Sequence, residues 1–130
     1  MRSISTMGYV HPTIFLIDDN EDIRDGLEVV LRQEGYAVET AANGRDALDR
    51  LHAGFRPCII LMDLMMPIMT GYEFRKEQLT YPELKDIPLI VYSGVTNMRD
   101  SAPQLQAAAY AEKPMDMDRI IALVRHHCLK

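Results

Sequence analysis

The stretch Cys58-Ile-Ile-Leu-Met-Asp63-Leu-Met-Met-Pro-Ile-Met-Thr70-Gly-Tyr-Glu73 indicates the fold most directly. Its first five residues are continuously apolar, which is typical of a strand covered on both faces, and Asp63 ends the run. Thr70 and Glu73 have the spacing of a capping box, so we expect a helix to begin there. A buried strand followed by a helix is the repeating unit of α/β domains with a parallel sheet.

The same alternation of strand and helix extends in both directions from this stretch. Short apolar runs predict strands at 13–17, 36–40, 58–62, 87–92 and 108–111. Helical spacing of apolar residues predicts helices at 20–34, 43–53 and 70 to about 81, with a last helix capped by Asp116. A helix within 95–107, which includes Pro103, should be short or irregular. We therefore predict one α/β domain with a doubly wound, five-stranded parallel sheet and helices on both faces.

Composition and charge narrow the possible functions. The 130 residues are 48% hydrophobic and 25% charged, which is typical of a globular chain with one core. A net charge of −5 argues against direct nucleic-acid binding. No run approaches the ~20 apolar residues of a membrane span, and residues 1–12 contain no apolar core of signal-peptide length. We expect a cytoplasmic protein without membrane insertion.

Two cysteines are too few for a disulfide framework. Cys58 lies in an apolar run and is interpreted as a small buried hydrophobic residue, while Cys128 ends an amphipathic segment. This usage favours a reducing compartment.

Polar side chains follow four of the predicted strands at the point where each strand ends. They are Asp18 and Asp19 after the first strand, Asp63 after the third, Ser93 after the fourth and Lys113 after the fifth. Ligands of parallel sheets bind beyond the carboxyl ends of the strands, so these side chains should converge on one crevice. Three carboxylates together repel each other unless a cation is present, and oxygen ligands suit Mg²⁺. With a hydroxyl and an ammonium nearby, this set predicts phosphoryl transfer to Asp63.

Each of these residues alone also has an ordinary structural interpretation. Asp18 and Asp19 could cap the following helix and complement its dipole. Asp63 and Ser93 could be turn residues, and Lys113 could be a solvated lysine before a proline. Their shared position at the strand ends favours a common site.

The sequence resembles the receiver domains of bacterial two-component response regulators. The similarity extends over residues 13–128 and rests on FLIDDNEDIR (15–24), ILMDLMMPIMTGYE (60–73), LIVYSG (89–94) and YAEKP (110–114). It implies a flavodoxin-like sheet with strand order 2-1-3-4-5. It also implies a receiver domain over 13–130, preceded by an N-terminal extension over 1–12.

The resemblance implies a metal and a phosphoryl donor. Asp63 would accept a phosphoryl group from a phosphohistidine on a histidine kinase or a histidine phosphotransfer protein. Mg²⁺, with Mn²⁺ as an alternative ion, would be bound by Asp19, Asp63 and the backbone carbonyl of Met65. Asp18 would act mainly through a metal-bound water.

The resemblance also implies how the phosphoryl group is held. Ser93 would donate a hydrogen bond to one of its oxygens, and Lys113 would form an ion pair with it. Backbone N–H groups of Met65 and Gly94 would complete the cradle. The Lys113–Pro114 peptide bond is expected to be cis.

Tyr110 matches the family's switch aromatic, although a plain core aromatic explains it equally well. In the switch interpretation Ser93 moves toward the phosphate and the tyrosine ring fills the vacated space. The surface of the predicted fourth helix, the fifth strand and the last helix would then change. The protein would signal to an unidentified protein target or relay the phosphate onward. It would not be an enzyme beyond promoting its own phosphorylation and dephosphorylation.

Three other functions fit the pattern less well. A phosphatase of the haloacid-dehalogenase type would have a second acid two residues after the nucleophile, where this chain has Met65. A flavin-binding module would have a hydroxyl- and glycine-rich loop after the first strand, where this chain has DDNED. A receiver used only for protein contacts would not need the complete set of acids, hydroxyl and lysine.

Overall fold

The computed structural model describes residues 12–94, 105–113 and 116–128, which form a five-stranded sheet with helices on its two faces. The strands are β1 (Thr13–Ile17), β2 (Ala37–Ala41), β3 (Ile59–Met62), β4 (Leu89–Ser93) and β5 (Ala109–Glu112). The helices are α1 (Glu21–Gln33), α2 (Gly44–His52), α3 (Gly71–Leu79) and α4 (Met117–Cys128). All neighbouring strands are parallel, in the order β2-β1-β3-β4-β5, which confirms the predicted fold class and strand order.

The sheet divides the core into two layers. In β1, Phe15 and Ile17 belong to the layer that includes α2 and α3, while Ile14 and Leu16 belong to the layer that includes α1 and α4. Every residue of β3 is buried, as the continuous apolar run predicts for a central strand. Each fully buried side chain of this kind contributes roughly 1.5–3 kcal/mol to folding. The two layers therefore fix the strand ends of β1 and β3 side by side.

Polar side chains cap the helices, two of them as predicted: Thr70 with Glu73, and Asp116. Asn20 and Asn43 each accept a hydrogen bond from the backbone N–H three residues further on, and Thr70 with Glu73 forms the predicted capping box. Asp116 accepts backbone hydrogen bonds at the start of α4. Within the described ranges, no helix is both long enough and apolar enough to cross a membrane.

Some predicted strand bounds are wrong by one or two residues. Strand β4 begins at Leu89 instead of residue 87, because Pro88 has no N–H to donate to the sheet. The strand also includes Ser93, which the sequence placed just after it. The short helix predicted within 95–107 lies mostly outside the described residues.

The cysteines are not independent residues, as the sequence interpretation had them. Cys58 and Cys128 form a disulfide, with Cα atoms 5.2 Å apart, a separation that a disulfide can bridge. Cys58 directly precedes β3 and is only half-buried, while Cys128 ends α4, which packs on the same side of the sheet. Because the sulfurs are bonded, cysteine usage no longer supports a reducing compartment.

Arg75 forms a buried polar connection that the sequence interpretation did not single out. Its guanidinium donates to the carbonyls of Leu105 (2.7 Å) and Gln106 (2.9 Å) and to the side-chain oxygen of Gln78 (2.8 Å). Burial lowers the pKa of Arg75 from its usual value. Arg75 thereby ties α3 to the segment that leads into β5 and Tyr110.

Alanine substitutions at two glycines are expected to change the free energy of unfolding in opposite directions. A Cβ at Gly71 would lie 2.9 Å from the carbonyl oxygen of Asp63 and 2.9 Å from Cα of Leu64, which are backbone atoms that cannot turn away. We expect Gly71→Ala to lower the free energy of unfolding by about 2 kcal/mol. Gly26 lies inside α1 with nothing within 4 Å of an added Cβ, so Gly26→Ala should raise the free energy of unfolding by about 1 kcal/mol. Urea unfolding of both variants checks this, and shifts of the same sign would contradict it.

Candidate functional site

The sheet itself positions three of the predicted site residues. The backbone N–H of Asp18 donates to the last carbonyl of β2 at 3.1 Å, and that of Asp63 donates to the last carbonyl of β1 at 3.1 Å. The N–H of Lys113 donates to the last carbonyl of β4 at 2.9 Å. Sheet hydrogen bonding therefore continues one residue past the ends of β1, β3 and β5. The three side chains start from fixed points along one edge of the sheet.

The predicted carboxylates do come together. Asp18, Asp19 and Asp63 each place one carboxylate oxygen within 4.8 Å of the others. Asp18 is fully buried and Asp63 nearly so, whereas Asp19 is exposed. Like charges at this distance and burial destabilise one another, and a cation relieves that repulsion. A set of only oxygen donors, open to solvent through Asp19, suits a hard divalent cation.

Lys113 brings one positive charge to these acids. Its Nζ lies 3.1 Å from Oδ2 of Asp63 and 3.6 Å from Oδ2 of Asp18. The guanidinium of Arg24 also donates to the backbone carbonyl of Asp18 at 2.9 Å, so two cations face three carboxylates and the site keeps a net negative charge. The lysine therefore fixes the orientation of Asp63 without removing the attraction for a further cation.

Tyr92 is a member of the site that the sequence interpretation missed. Its hydroxyl donates to Oδ2 of Asp18 at 2.7 Å, and the Nζ of Lys113 lies 5.2 Å from the centre of its ring. Burial, together with the nearby charge of Asp18, raises the pKa of Tyr92 far above its usual value, so the hydroxyl remains a donor at neutral pH. The sequence feature that could have indicated this role is the position of Tyr92 near the end of β4, where its hydroxyl could face the acids that follow β1.

The remaining predicted residues lie around this centre. Ser93 is fully buried at the end of β4, and Gly94 follows it with open space where a Cβ would be. Met65 is 59% exposed, and its backbone N–H lies 3.4 Å from Oδ1 of Asp63. Tyr110 is half-buried in β5, paired in register with Val91. Pro114 lies outside the described residues, and with it the expected cis bond.

The loop after Asp63 contains a strained residue. Ile68 has a φ of 72° and is 77% exposed. A branched side chain rarely adopts this left-handed conformation. The loop is fixed at both sides of Ile68, because Met69 N–H donates to the Pro67 carbonyl at 2.7 Å and Gly71 N–H to that of Leu64 at 2.8 Å. Such strain is typical of loops at functional sites.

The arrangement combines a nearly buried carboxylate, an ammonium in contact with it, and further acids that can bind a divalent cation. This chemistry suits a carboxylate that accepts a phosphoryl group, because the ammonium and the cation can both neutralise phosphoryl oxygens.

Comparison with known proteins identifies similar chains. The family model of the response regulator receiver domain matches residues 14–125. Response regulator MprA of Mycolicibacterium vanbaalenii is 32% identical over 114 residues, covering 86% of this chain and 48% of MprA. This chain thus spans about half the length of that relative. A 14.6 kDa protein from the sodA1 3′ region of Leptolyngbya boryana is 31% identical, with 89% of each chain covered.

A solved structure shares the architecture as well. The response regulator protein TrrA of Thermotoga maritima, crystallised in complex with Mg²⁺–BeF, is 28% identical. It superposes with a TM-score of 0.79 over 88% of this chain and 97% of TrrA.

Proposed function

This chain belongs to the response regulator receiver family, and on that premise we propose that it accepts a phosphoryl group on Asp63 in a phosphorelay. The observation that carries the proposal is the position of Asp63, with Lys113 Nζ at 3.1 Å and two further carboxylates within 4.8 Å. Membership of the family is consistent with phosphorelay signalling.

The acidic residues would hold Mg²⁺. Asp19, Asp63 and the backbone carbonyl of Met65 are its proposed direct ligands, with Asp18 acting through water. The fit rests on the clustering of the three carboxylates, which repel each other without a cation. Mg²⁺, when bound, would offset the negative charge on the phosphoryl oxygens. The TrrA complex supports Mg²⁺ by analogy, whereas the comparisons give no support for Mn²⁺.

Asp63 would be the nucleophile. Its carboxylate oxygen would attack phosphorus and form the P–O bond while the P–N bond to the donor's histidine breaks. The imidazole, protonated on its other ring nitrogen, would leave as the neutral ring with the bonding electron pair. Lys113 and the hydroxyl of Ser93 would balance the charge on the transferred group, together with the backbone N–H groups of Met65 and Gly94.

The signal would leave the site through β5 and α4. Tyr110 connects β5, of which it is part, to α4, because its carbonyl accepts a hydrogen bond from Arg119 of α4 at 3.1 Å. A shift of Ser93 toward phosphate would let the Tyr110 ring move inward and change this surface for a protein target. The donor would be a histidine kinase or a histidine phosphotransfer protein. We assign the receiver to 13–130 and an extension to 1–12, and we propose no enzymatic activity beyond the receiver's own phosphorylation and dephosphorylation.

The proposal predicts phosphoryl uptake that depends on Mg²⁺. The protein is incubated with acetyl phosphate, with Mg²⁺ or with EDTA, and its intact mass is recorded. We expect a gain of one phosphoryl group with Mg²⁺ and none with EDTA. Fragmentation should locate the group on the peptide that contains Asp63. Uptake on another residue, or no uptake from either acetyl phosphate or phosphoramidate, would refute the proposed function.

A further inference from the structure

Tyr92 contacts the acidic site from inside the core. Its side chain is fully buried, with the ring in the apolar layer next to α1 and α4, and its hydroxyl reaches Asp18. We propose that Tyr92 is a positioning residue for the metal, because its hydroxyl holds Asp18 in the orientation in which that carboxylate serves a divalent cation. This inference rests on the proposed function, since it concerns the same site.

The hydrogen bonds of Asp18 show what the hydroxyl does. Oδ1 accepts the backbone N–H of Asn20 at 2.8 Å, while Oδ2 accepts the Tyr92 hydroxyl at 2.7 Å and lies 3.6 Å from Lys113 Nζ. Both oxygens are thus fixed by groups of the protein, and each has a second lone pair for a further partner. The carboxylate plane is set before any cation arrives.

A neutral hydroxyl suits this task better than another cation would. Lys113 brings a positive charge to the carboxylates of Asp18 and Asp63, and the guanidinium of Arg24 donates to the backbone carbonyl of Asp18 at 2.9 Å. A further cation on the carboxylate oxygens would compete with Mg²⁺ for them. The Tyr92 hydroxyl satisfies one lone pair of a fully buried carboxylate and leaves the charge of the site unchanged. Partners that orient the direct ligands of a metal typically alter its affinity by 10–100-fold, and we expect an effect at the lower end of that range here because Asp18 would act through water.

The ring and the hydroxyl of Tyr92 do different things, and one substitution separates them. The ring fills core volume and lies under the ammonium of Lys113, whose Nζ is 5.2 Å from the ring centre. Tyr92→Phe keeps the ring, its packing and this contact, and it removes only the hydrogen bond to Asp18. A merely structural role for the hydroxyl would therefore appear in folding stability and not in Mg²⁺ affinity.

The test is a calorimetric titration of the intact protein with MgCl₂. We expect the Kd for Mg²⁺ to rise about tenfold in Tyr92→Phe. Tyr36→Phe, which removes a hydroxyl just before β2, at the opposite end of the strands, serves as the control and should bind like the wild type. In an Asp18→Asn background, Tyr92→Phe should change the Kd by less than about twofold, because the hydroxyl acts through Asp18.

The outcomes separate this inference from the proposed function. A wild type that binds Mg²⁺ with Tyr92→Phe unchanged overturns the positioning role and leaves the proposed function standing. The positioning role is also overturned if Tyr36→Phe loses as much Mg²⁺ affinity as Tyr92→Phe. It is overturned as well if Tyr92→Phe raises the Kd by the same factor in the Asp18→Asn background as in the wild type. A wild type that does not bind Mg²⁺ overturns the proposed function as well. Circular dichroism of each variant confirms that folded protein is being compared.

Discussion

Replacing Asp63 by asparagine is expected to reduce phosphoryl uptake from acetyl phosphate at least about 100-fold, to background. Asparagine keeps the size of the side chain, and its amide oxygen can still accept from Lys113, whose Nζ lies 3.1 Å from Oδ2 in the wild type. The amide oxygen is not a competent nucleophile toward phosphorus, so the acceptor is lost while its surroundings remain. The initial rate of mass gain in the presence of Mg²⁺ measures the effect.

Asp86→Asn is the matched control for this substitution. Asp86 is an exposed acid in the connection between α3 and β4, so the same change of charge there should leave the rate unchanged. Asp63→Asn should also remain folded, because it removes one of three carboxylates that repel each other. A folded Asp63→Asn protein that gains mass at the wild-type rate would show that another residue accepts the group.

The position of Asp63 could be predicted from the sequence because it follows from topology. Once strands are recognised as parallel, the residues that follow them must lie along one edge. The structure brings Asp18, Asp63 and Lys113 together by continuing the sheet hydrogen bonds one residue past the strands. Approximate strand ends were therefore sufficient, and errors of one or two residues did not matter.

Tyr92 and Arg75 could not be predicted in the same way. In sequence Tyr92 is one more strand former in an apolar run, and its role depends on a partner 74 residues away in the chain. Arg75 lies on a helix whose sequence does not place it on an apolar face, and the carbonyl to which it makes its shortest hydrogen bond is 30 residues away. Which distant partner a side chain reaches depends on how the layers of the fold pack together. The spacing of apolar residues in the sequence does not predict that packing.

The cysteines show the same limit. Cys58 and Cys128 are separated by 70 residues, and nothing local to either one indicates the other. They meet because α4 returns along the sheet and ends beside the start of β3. A prediction of the fold alone leaves open where along the sheet α4 ends, and therefore leaves the pairing open.

Reducing the disulfide is expected to lower the free energy of unfolding by about 4 kcal/mol. The bond closes a loop of 70 residues, and this closure removes conformational entropy from the unfolded chain. A loss of this size is a large part of the roughly 5–15 kcal/mol that stabilises a typical domain. Urea unfolding followed by circular dichroism, with and without dithiothreitol, measures it.

The Cys58→Ala/Cys128→Ala double variant distinguishes loss of the bond from other effects of the reductant. It should unfold at the same urea concentration with and without dithiothreitol, close to the reduced wild type. Each single variant should already show most of the loss, because either substitution opens the loop. Iodoacetamide applied to the unfolded wild type should alkylate both cysteines only after reduction. A stabilising disulfide would be contradicted if the unfolding midpoint of the wild type were the same with and without dithiothreitol. Alkylation of the wild-type cysteines without dithiothreitol would contradict it as well.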